Sequence, residues 1–344
     1  VNIAAFGYEL APNIIASEDL EARLAPVYEK LHLQPGQLEA LTGIAERRFW
    51  DRDFKLSDGA ISAGKKALAK APISIDRIGM LIYAGVCREN LEPATACAVA
   101  HGLGLDADSQ IYDVSNACLG VLNGMVQIAN AIEMGQIQAG IVVSCESSRQ
   151  IVEMTIDRIL TSHDMAVFKE TIATLTGGSG AVAVVLCHAS LLPQGHKLIG
   201  GVAKSATQHH RLCTWGPDTG IPASGPHVMR TDSVGVLKHG VTLGIETFAA
   251  FRQELGWSEQ LPHKIICHQV GSAHQRTILE SIGIDASKDF TTYRFLGNIG
   301  TVSLPITAAI AAERDFLQKG DKVGFLGIGS GLNCLMLGIE WGAI

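Results

Sequence analysis

The chain has 344 residues, 47% hydrophobic and 18% charged, enough to bury a sizeable core in two domains or in one large α/β body with two similar halves. A formal net charge of −7 argues against nucleic acid as the main partner, since phosphate binding calls for a basic stripe, but leaves open a small anionic ligand held by a local patch. There is no secretory signal pattern, no apolar run long enough to span a bilayer and no CxxC pair among the eight cysteines, so a cytoplasmic protein with reduced thiols is expected.

In chain order, short apolar runs predict strands at Met80–Ala84, Ile111–Val114, Ala139–Ser144, Ala181–Cys187, Leu198–Ala203, Lys264–Cys267 and Lys322–Ile328. Between them lie helical periodicities, such as Leu122, Met125, Ile128, Ala129 and Ile132. Strands apolar on both faces that alternate with helices predict an α/β protein whose sheets are covered on both sides. Polar and turn residues at 191–197 (LLPQGHK) interrupt the pattern, giving two expected halves, 1–192 and 193–344.

Each half brings one reactive side chain to the carboxyl end of a strand, where open α/β sheets place their ligands. In the first half, Ile111–Ala117 runs into Cys118 and a helical pattern begins at once. A thiol at a helix N-terminus is favoured as thiolate by the aligned backbone dipoles, which makes Cys118 a candidate nucleophile. A cysteine taken alone is more often a buried structural residue, as Cys187 in AVAVVLC and Cys267 in KIICH read. In the second half, KIIC runs into His268, and Asn298 sits in the glycine-bracketed Leu-Gly-Asn-Ile-Gly.

A Cys, a His and an Asn would also fit a papain-like peptidase, but that family's local Cys signature and order of elements are missing. The run Gly327-Ile-Gly-Ser-Gly-Leu-Asn reads better as a tight turn offering backbone N–H groups to an oxyanion than as a nucleotide loop, because no helix or downstream acid follows. His209 and His210 are adjacent and read as surface residues. No His/Cys/Asp/Glu spacing suggests a metal site.

Together these motifs resemble the thiolase superfamily in its ketoacyl-ACP synthase III branch, over nearly the whole chain. Thr42-Gly-Ile with Arg47 and Arg48 resembles the branch's early TGIxxR segment, and Ser115-Asn-Ala-Cys118-Leu-Gly its nucleophile turn. His268-Gln269, Gly297-Asn298 with Pro305, and Gly329-Ser330-Gly331 resemble its HQ, GN…SxP and terminal glycine segments. Within the branch, Arg48-Phe-Trp-Asp, Leu91-Glu92-Pro-Ala-Thr, His268-Gln-Val and Leu326-Gly-Ile-Gly-Ser-Gly-Leu-Asn-Cys334 are most similar to the OleA-like acyl-CoA condensing enzymes of long-chain olefin biosynthesis.

The resemblance implies a thiolase fold, two similar halves forming a five-layered αβαβα body, in a homodimer. It implies an acyltransferase that condenses two acyl thioesters without decarboxylation through an acyl-Cys118 intermediate. His268 and Asn298 would stabilise the enolate, the backbone N–H groups of Cys118 and Ser330 would form the oxyanion hole, and Glu92 would reach the partner subunit's site as the base. Glu92 would serve if burial near acyl chains raised its pKa; its bland alternative is a solvated loop carboxylate before a proline. No cofactor or metal is implied; the substrate is acyl-CoA or acyl-ACP, with an acyl carrier protein as the alternative donor.

Two other readings keep the fold or the nucleophile: a decarboxylative ketoacyl synthase using a malonyl thioester, and a protein that acylates Cys118 but forms no carbon–carbon bond. The chain departs from initiation enzymes where those hold the CoA adenine with a Trp and an Arg, having Gln37 and Leu41 in about those places, and at Val270-Gly271 after the HQ pair. The stretch Cys213–Asp232 also departs, and is expected to line an acyl channel or to form a long surface loop.

Overall fold

A computed structural model describes residues 1–217 and 227–343. Its strands are β1 (Asn2–Leu10), β2 (Asn13–Ala16), β3 (Glu46–Phe49), β4 (Ile78–Ala84), β5 (Gln110–Val114), β6 (Ala139–Glu146), β7 (Gly180–Cys187), β8 (His196–Ser205), β9 (Cys213–Pro217), β10 (His227–Thr231), β11 (Lys264–Cys267), β12 (Lys322–Gly329) and β13 (Asn333–Glu340). All seven strands expected from the apolar runs are present.

Nine strands form one continuous sheet in the order β11-β12-β13-β8-β1-β7-β6-β4-β5. The order contains the same arrangement twice. β4 runs parallel to β6, β6 antiparallel to β7, and β7 antiparallel to β1. Likewise β11 runs parallel to β12, β12 antiparallel to β13, and β13 antiparallel to β8. The first arrangement adds β5 at its outer edge, parallel to β4. The two join where Asn2 and Ile3 of β1 pair with Lys197 and His196 of β8.

Side-chain alternation along the strands sorts the core into layers. Met80, Ile82 and Ala84 of β4 face the same cluster as Val323 and Phe325 of β12 and Leu335, Leu337 and Ile339 of β13. Between these two walls lie the helices Gly120–Glu133 and Ser303–Glu313. The latter is buried from Ser303 through Ala311, as a helix apolar on every side must be. Opposite faces of the walls carry Leu81 and Tyr83 against the helices Leu56–Lys70 and Thr95–Leu103, and Leu326, Cys334 and Met336 against the helix Ser233–Glu254. The result is helix, sheet, helix, sheet, helix: the five layers expected of a thiolase fold.

A smaller apolar cluster joins the helices Ser17–Arg23, Ala25–Lys30 and Arg149–Ser162 through Leu20, Leu24, Val27, Val152 and Ile156. The ends of the Cys213–Asp232 stretch form an antiparallel hairpin, from Cys213 opposite Thr231 to Pro217 opposite His227. Residues 218–226 lie outside the described residues. Among the described residues, no helix is long and apolar enough to cross a membrane.

Candidate active site

β5 delivers the nucleophile turn. Inside β5, the Asp113 carboxylate accepts hydrogen bonds from the N–H groups of Thr95 (3.0 Å) and Ala96 (2.9 Å), seating the start of a neighbouring helix. Ala117 then takes a left-handed conformation (φ 44°), rare for a residue with a side chain, and Cys118 follows just before the helix Gly120–Glu133. The N-terminal placement of Cys118 matches the sequence reading; its expected ionisation does not. Enclosure by protein, with contributions from Cys213 and Glu146, pushes the thiol up to about 12. Lost solvation disfavours the charged form, so Cys118 rests as a neutral thiol and must give up its proton to react.

The β12–β13 turn packs directly on the Cys118 backbone. A Cβ on Gly329 would come within 3.3 Å of the Cys118 nitrogen, so only glycine lets the turn approach this far. Ser330 follows in that turn, its carbonyl accepting a hydrogen bond from Asn333 Nδ2 at 3.3 Å. The same amide donates to Asn116 Oδ1 at 3.2 Å, tying the terminal turn to the nucleophile turn.

His268 continues from the end of β11, its N–H bonded to the carbonyl of Leu326 in β12 (3.0 Å). Its Nδ1 lies 2.7 Å from Ser303 Oγ, which leaves Nε2 for chemistry. Burial, and secondarily His274, lower its pKa to about 4, so the ring is neutral near pH 7. Gln269 is buried and ties the strand end to the segment that follows. It donates to the carbonyl of Cys267 (2.7 Å) and accepts from the N–H groups of Thr292 (2.9 Å) and Tyr293 (3.2 Å).

Asn298 is clamped by its backbone: its N–H donates to Thr176 (2.9 Å) and its carbonyl accepts from Gly178 (3.0 Å). Its Oδ1 accepts the N–H of Gly300 at 3.1 Å, which leaves the amide NH2 as a donor. The loop continues into Thr301, whose Oγ1 accepts the N–H of Val121 in the first turn of the Cys118 helix (2.8 Å), and then into Ser303, the partner of His268. One segment, 298–303, therefore ties Cys118, His268 and Asn298 to a common frame.

Glu92 lies elsewhere. Its loop is anchored at both ends: the Glu89 carboxylate accepts from Ser57 (2.8 and 2.7 Å), and the Glu89 N–H donates to Thr95 Oγ1 (3.3 Å). Residues 90–93 project outward, with Leu91 73% exposed and Glu92 exposed beside it. The burial that would make Glu92 a base does not come from its own chain.

Three participants were not singled out in the sequence. Thr301 holds a backbone N–H of the Cys118 helix, and Ser303 holds the His268 ring. Glu146 ends β6 at 4% exposure, and the strand-end rule that picked out Cys118 and His268 applies to it equally. His209, read as a surface residue, is half-buried and stacks on His239 with ring centroids 3.7 Å apart. Among the described residues no group of three or more His, Cys, Asp or Glu is arranged to hold a metal.

A groove of about 960 Å³ opens on this side of the molecule, lined by Gln37, Leu41, Lys169, Arg211, Leu212 and Thr214 among others. Cys213, between Leu212 and Thr214 in sequence, does not line the groove but influences the Cys118 thiol.

Residues 41–190 match the thiolase N-terminal domain, and residues 253–341 match the C-terminal domain of 3-oxoacyl-[acyl-carrier-protein] synthase III. An acyl-CoA:acyl-CoA alkyltransferase of Shewanella oneidensis is 52% identical, with 99% of each chain covered. The protein of that name from Xanthomonas campestris pv. campestris is 38% identical over 99% of this chain and 98% of its own. Cerulenin-bound OleA from Xanthomonas campestris superposes with a TM-score of 0.93 at 37% identity, covering 99% of this chain and 96% of that one. A Cys-to-Ser variant of that enzyme, solved with lauric acid and lauroyl-CoA, also gives 0.93 at 37% identity, covering 99% of this chain and 98% of the other. The chain therefore belongs to the thiolase superfamily, among the OleA-like acyl-CoA:acyl-CoA alkyltransferases.

Proposed function

We propose that the protein joins two acyl-CoA molecules by a non-decarboxylative Claisen condensation. The observation that carries this reading is the 298–303 segment, which ties the Cys118 helix to a neutral histidine and the Asn298 amide. The Cys118 sulfur adds to the thioester carbonyl of the first acyl-CoA, its proton ending on the departing CoA sulfur while His268 Nε2 keeps its own. The backbone N–H groups of Cys118 and Ser330 receive the oxyanion, and CoA leaves as the thiol. A second acyl-CoA places its carbonyl oxygen toward His268 Nε2 and the Asn298 amide. Loss of its α-proton gives an enolate held by those donors. The enolate carbon attacks the acyl-cysteine, Cys118 leaves and is reprotonated, and the product is a β-ketoacyl-CoA, which water hydrolyses to a β-keto acid and free CoA.

The base for the α-proton is Glu92, delivered by a second copy of the chain in a homodimer. Two features support this. β5 lies at the end of the sheet with Ile111, Tyr112 and Val114 only partly buried, an edge suited to strand addition. It leads straight into the Cys118 turn, and Glu92 projects outward with Leu91 at its side. CoA rather than a carrier protein is the donor, a reading supported by Lys169 and Arg211 in the groove walls, which offer cations to its phosphates. No cofactor enters the reaction. The protein works in the cytoplasm, in lipid metabolism.

The test is product analysis with a long-chain acyl-CoA as sole substrate, for the wild type, Cys118→Ala and Glu92→Ala. A ketone, from decarboxylation of the β-keto acid, formed by the wild type and lost in both variants is the expected result. Condensation only after a malonyl thioester is added would instead establish the decarboxylative reaction. A stable acyl-Cys118 with no product in either case would leave a non-condensing acyl carrier.

A further inference from the structure

Glu146 is a buried carboxylate whose donors are all neutral, and it touches two of the loops on which the reaction proposed above depends. Its Oε1 accepts the N–H of Val86 at 3.0 Å and its Oε2 that of Cys87 at 3.2 Å. Against burial, the Cys87 thiol also lowers the Glu146 pKa, and so, more weakly, does the backbone of Thr301 in the Asn298 loop, which comes against its other side. Contact on both sides is close: a Cβ on Gly85 would sit 3.3 Å from Oε1, and one on Gly300 3.3 Å from Cγ. The Trp50 indole N–H holds the Glu146 carbonyl at 3.1 Å, so the residue's own backbone is also pinned.

The loop bonded through Val86 and Cys87 is the one that carries Glu92 outward. The loop bonded through Thr301 carries Asn298 and, by way of Thr301 Oγ1, steadies the first turn of the Cys118 helix. We propose that Glu146 is a positioning residue for the condensation, its carboxylate locking the Glu92 loop to the Asn298 loop and so setting where the base and the enolate donors stand. In a homodimer this makes it a link between two sites, because the Glu92 loop it holds serves the partner while the Asn298 loop serves its own chain. The inference rests on the condensation reading above.

Desolvation of a carboxylate without a cation is costly, and burial raises the Glu146 pKa while its N–H donors lower it. The titratable groups that sense its charge are Tyr83, Cys87 and Cys145 from the neighbouring strands and loop, together with Cys118. Cys118 therefore also senses Glu146 through charge: an anion nearby disfavours its thiolate.

Glu146→Gln keeps the outline of the side chain but turns an NH2 toward backbone donors. With long-chain acyl-CoA, acylation of Cys118 followed by intact mass is expected to proceed at or above the wild-type rate. Ketone formation should fall about 100-fold, in kcat rather than KM, the cost of misplacing reacting groups by about an ångström. The pH profile of Cys118 alkylation, mapped by peptide mass, should move to lower pH. Acylation and condensation falling in parallel, condensation unchanged, or an unmoved alkylation profile would each overturn the proposal. If Glu146→Gln does not fold, Glu146→Asp carries the test. It keeps the charge but stretches the ties, so condensation should again fall more than acylation, and equal losses would sink the idea. Failure of the parent reading is separately visible, as a wild type that makes no ketone without a malonyl thioester.

Discussion

Thr301 Oγ1 accepts a hydrogen bond from the backbone N–H of Val121 at 2.8 Å, across 180 residues of sequence. The first N–H groups of a helix have no partner within the helix, and this one is met by a residue of the other half of the fold. Thr301→Val keeps the shape and removes the acceptor. It should destabilise the protein by about 1–3 kcal/mol, the penalty for a buried unsatisfied donor, and slow Cys118 acylation about tenfold. Urea unfolding and acyl-enzyme mass kinetics measure the two effects. A stability loss with unchanged acylation would confine Thr301 to the fold.

Cys118 should react slowly with iodoacetamide near neutrality. Its thiol titrates near 12, so below that value the thiolate fraction, and with it the rate, rises about tenfold per pH unit. Exposed Cys97 supplies an internal comparison, read by peptide mass. A Cys118 rate that levels off below pH 9 would show that the helix N-terminus prevails over burial after all.

Ser303→Ala removes the hydroxyl beside His268 Nδ1 and lets the ring turn. Condensation should fall about 10- to 100-fold, since general acid–base assistance of that size depends on ring orientation. Acylation and condensation are compared in single-turnover mixing with acyl-CoA. Full activity in the variant would mean that Ser303 does not orient the ring.

Gly297 has φ 68°, and a Cβ there would come within 2.5 Å of the Thr176 carbonyl oxygen. Gly297→Ala should therefore cost roughly 1–3 kcal/mol from the backbone conformation alone and displace Asn298. The expected readout is a lowered melting temperature together with a condensation defect. Normal melting would refute it.

Asp289 and the buried histidines give the stability a readable pH dependence. Burial raises Asp289 to about 7, so between its ordinary value and about 7 the folded state holds a proton that the unfolded state has lost. That contribution is complete at low pH and disappears as pH rises through this window. His268 and His196 are lowered to about 4, so their contribution runs the other way, lost as pH falls from about 6.5 toward 4. Asp289→Asn removes the first effect. Its stability relative to wild type should improve with rising pH by roughly 1.4 kcal/mol per unit across the Asp289 window. Melting curves at pH 5 and pH 8 decide, and an equal difference at both would show that Asp289 is not the group responsible.

The strands that were legible in the sequence are those apolar on both faces, such as Ala181–Cys187, where nothing but a covered sheet can accommodate the run. β1 escaped because Ala4, Ala5 and Gly7 supply little apolar bulk. Those same small residues admit a helix so closely that a Cβ on Gly7 would strike the backbone of Ala63 and Ala67. β13 was hidden behind the Gly329–Gly331 turn, and β9 with β10 within a stretch that read as irregular. In the site, Cys118 and His268 were visible because a reactive side chain ended an apolar strand, and Asn298 because glycines bracket it. Glu146 ends β6 in the same way and could have been found by the same rule; Thr301 could not, since what it holds is a backbone N–H, which leaves no mark in the sequence. Glu92 drew attention only by family likeness, because no contact within its own chain distinguishes it.

The helix Ser303–Glu313, enclosed between the two repeated walls, makes the halves inseparable as folding units. Cutting the chain between Cys187 and His196 would yield one fragment without this helix and another whose helix has lost its facing wall. Neither would be expected to stand alone, and the two should regain activity only when mixed. Architectural repetition here records how the molecule is laid out; the unit that melts, refolds and is inherited is the whole.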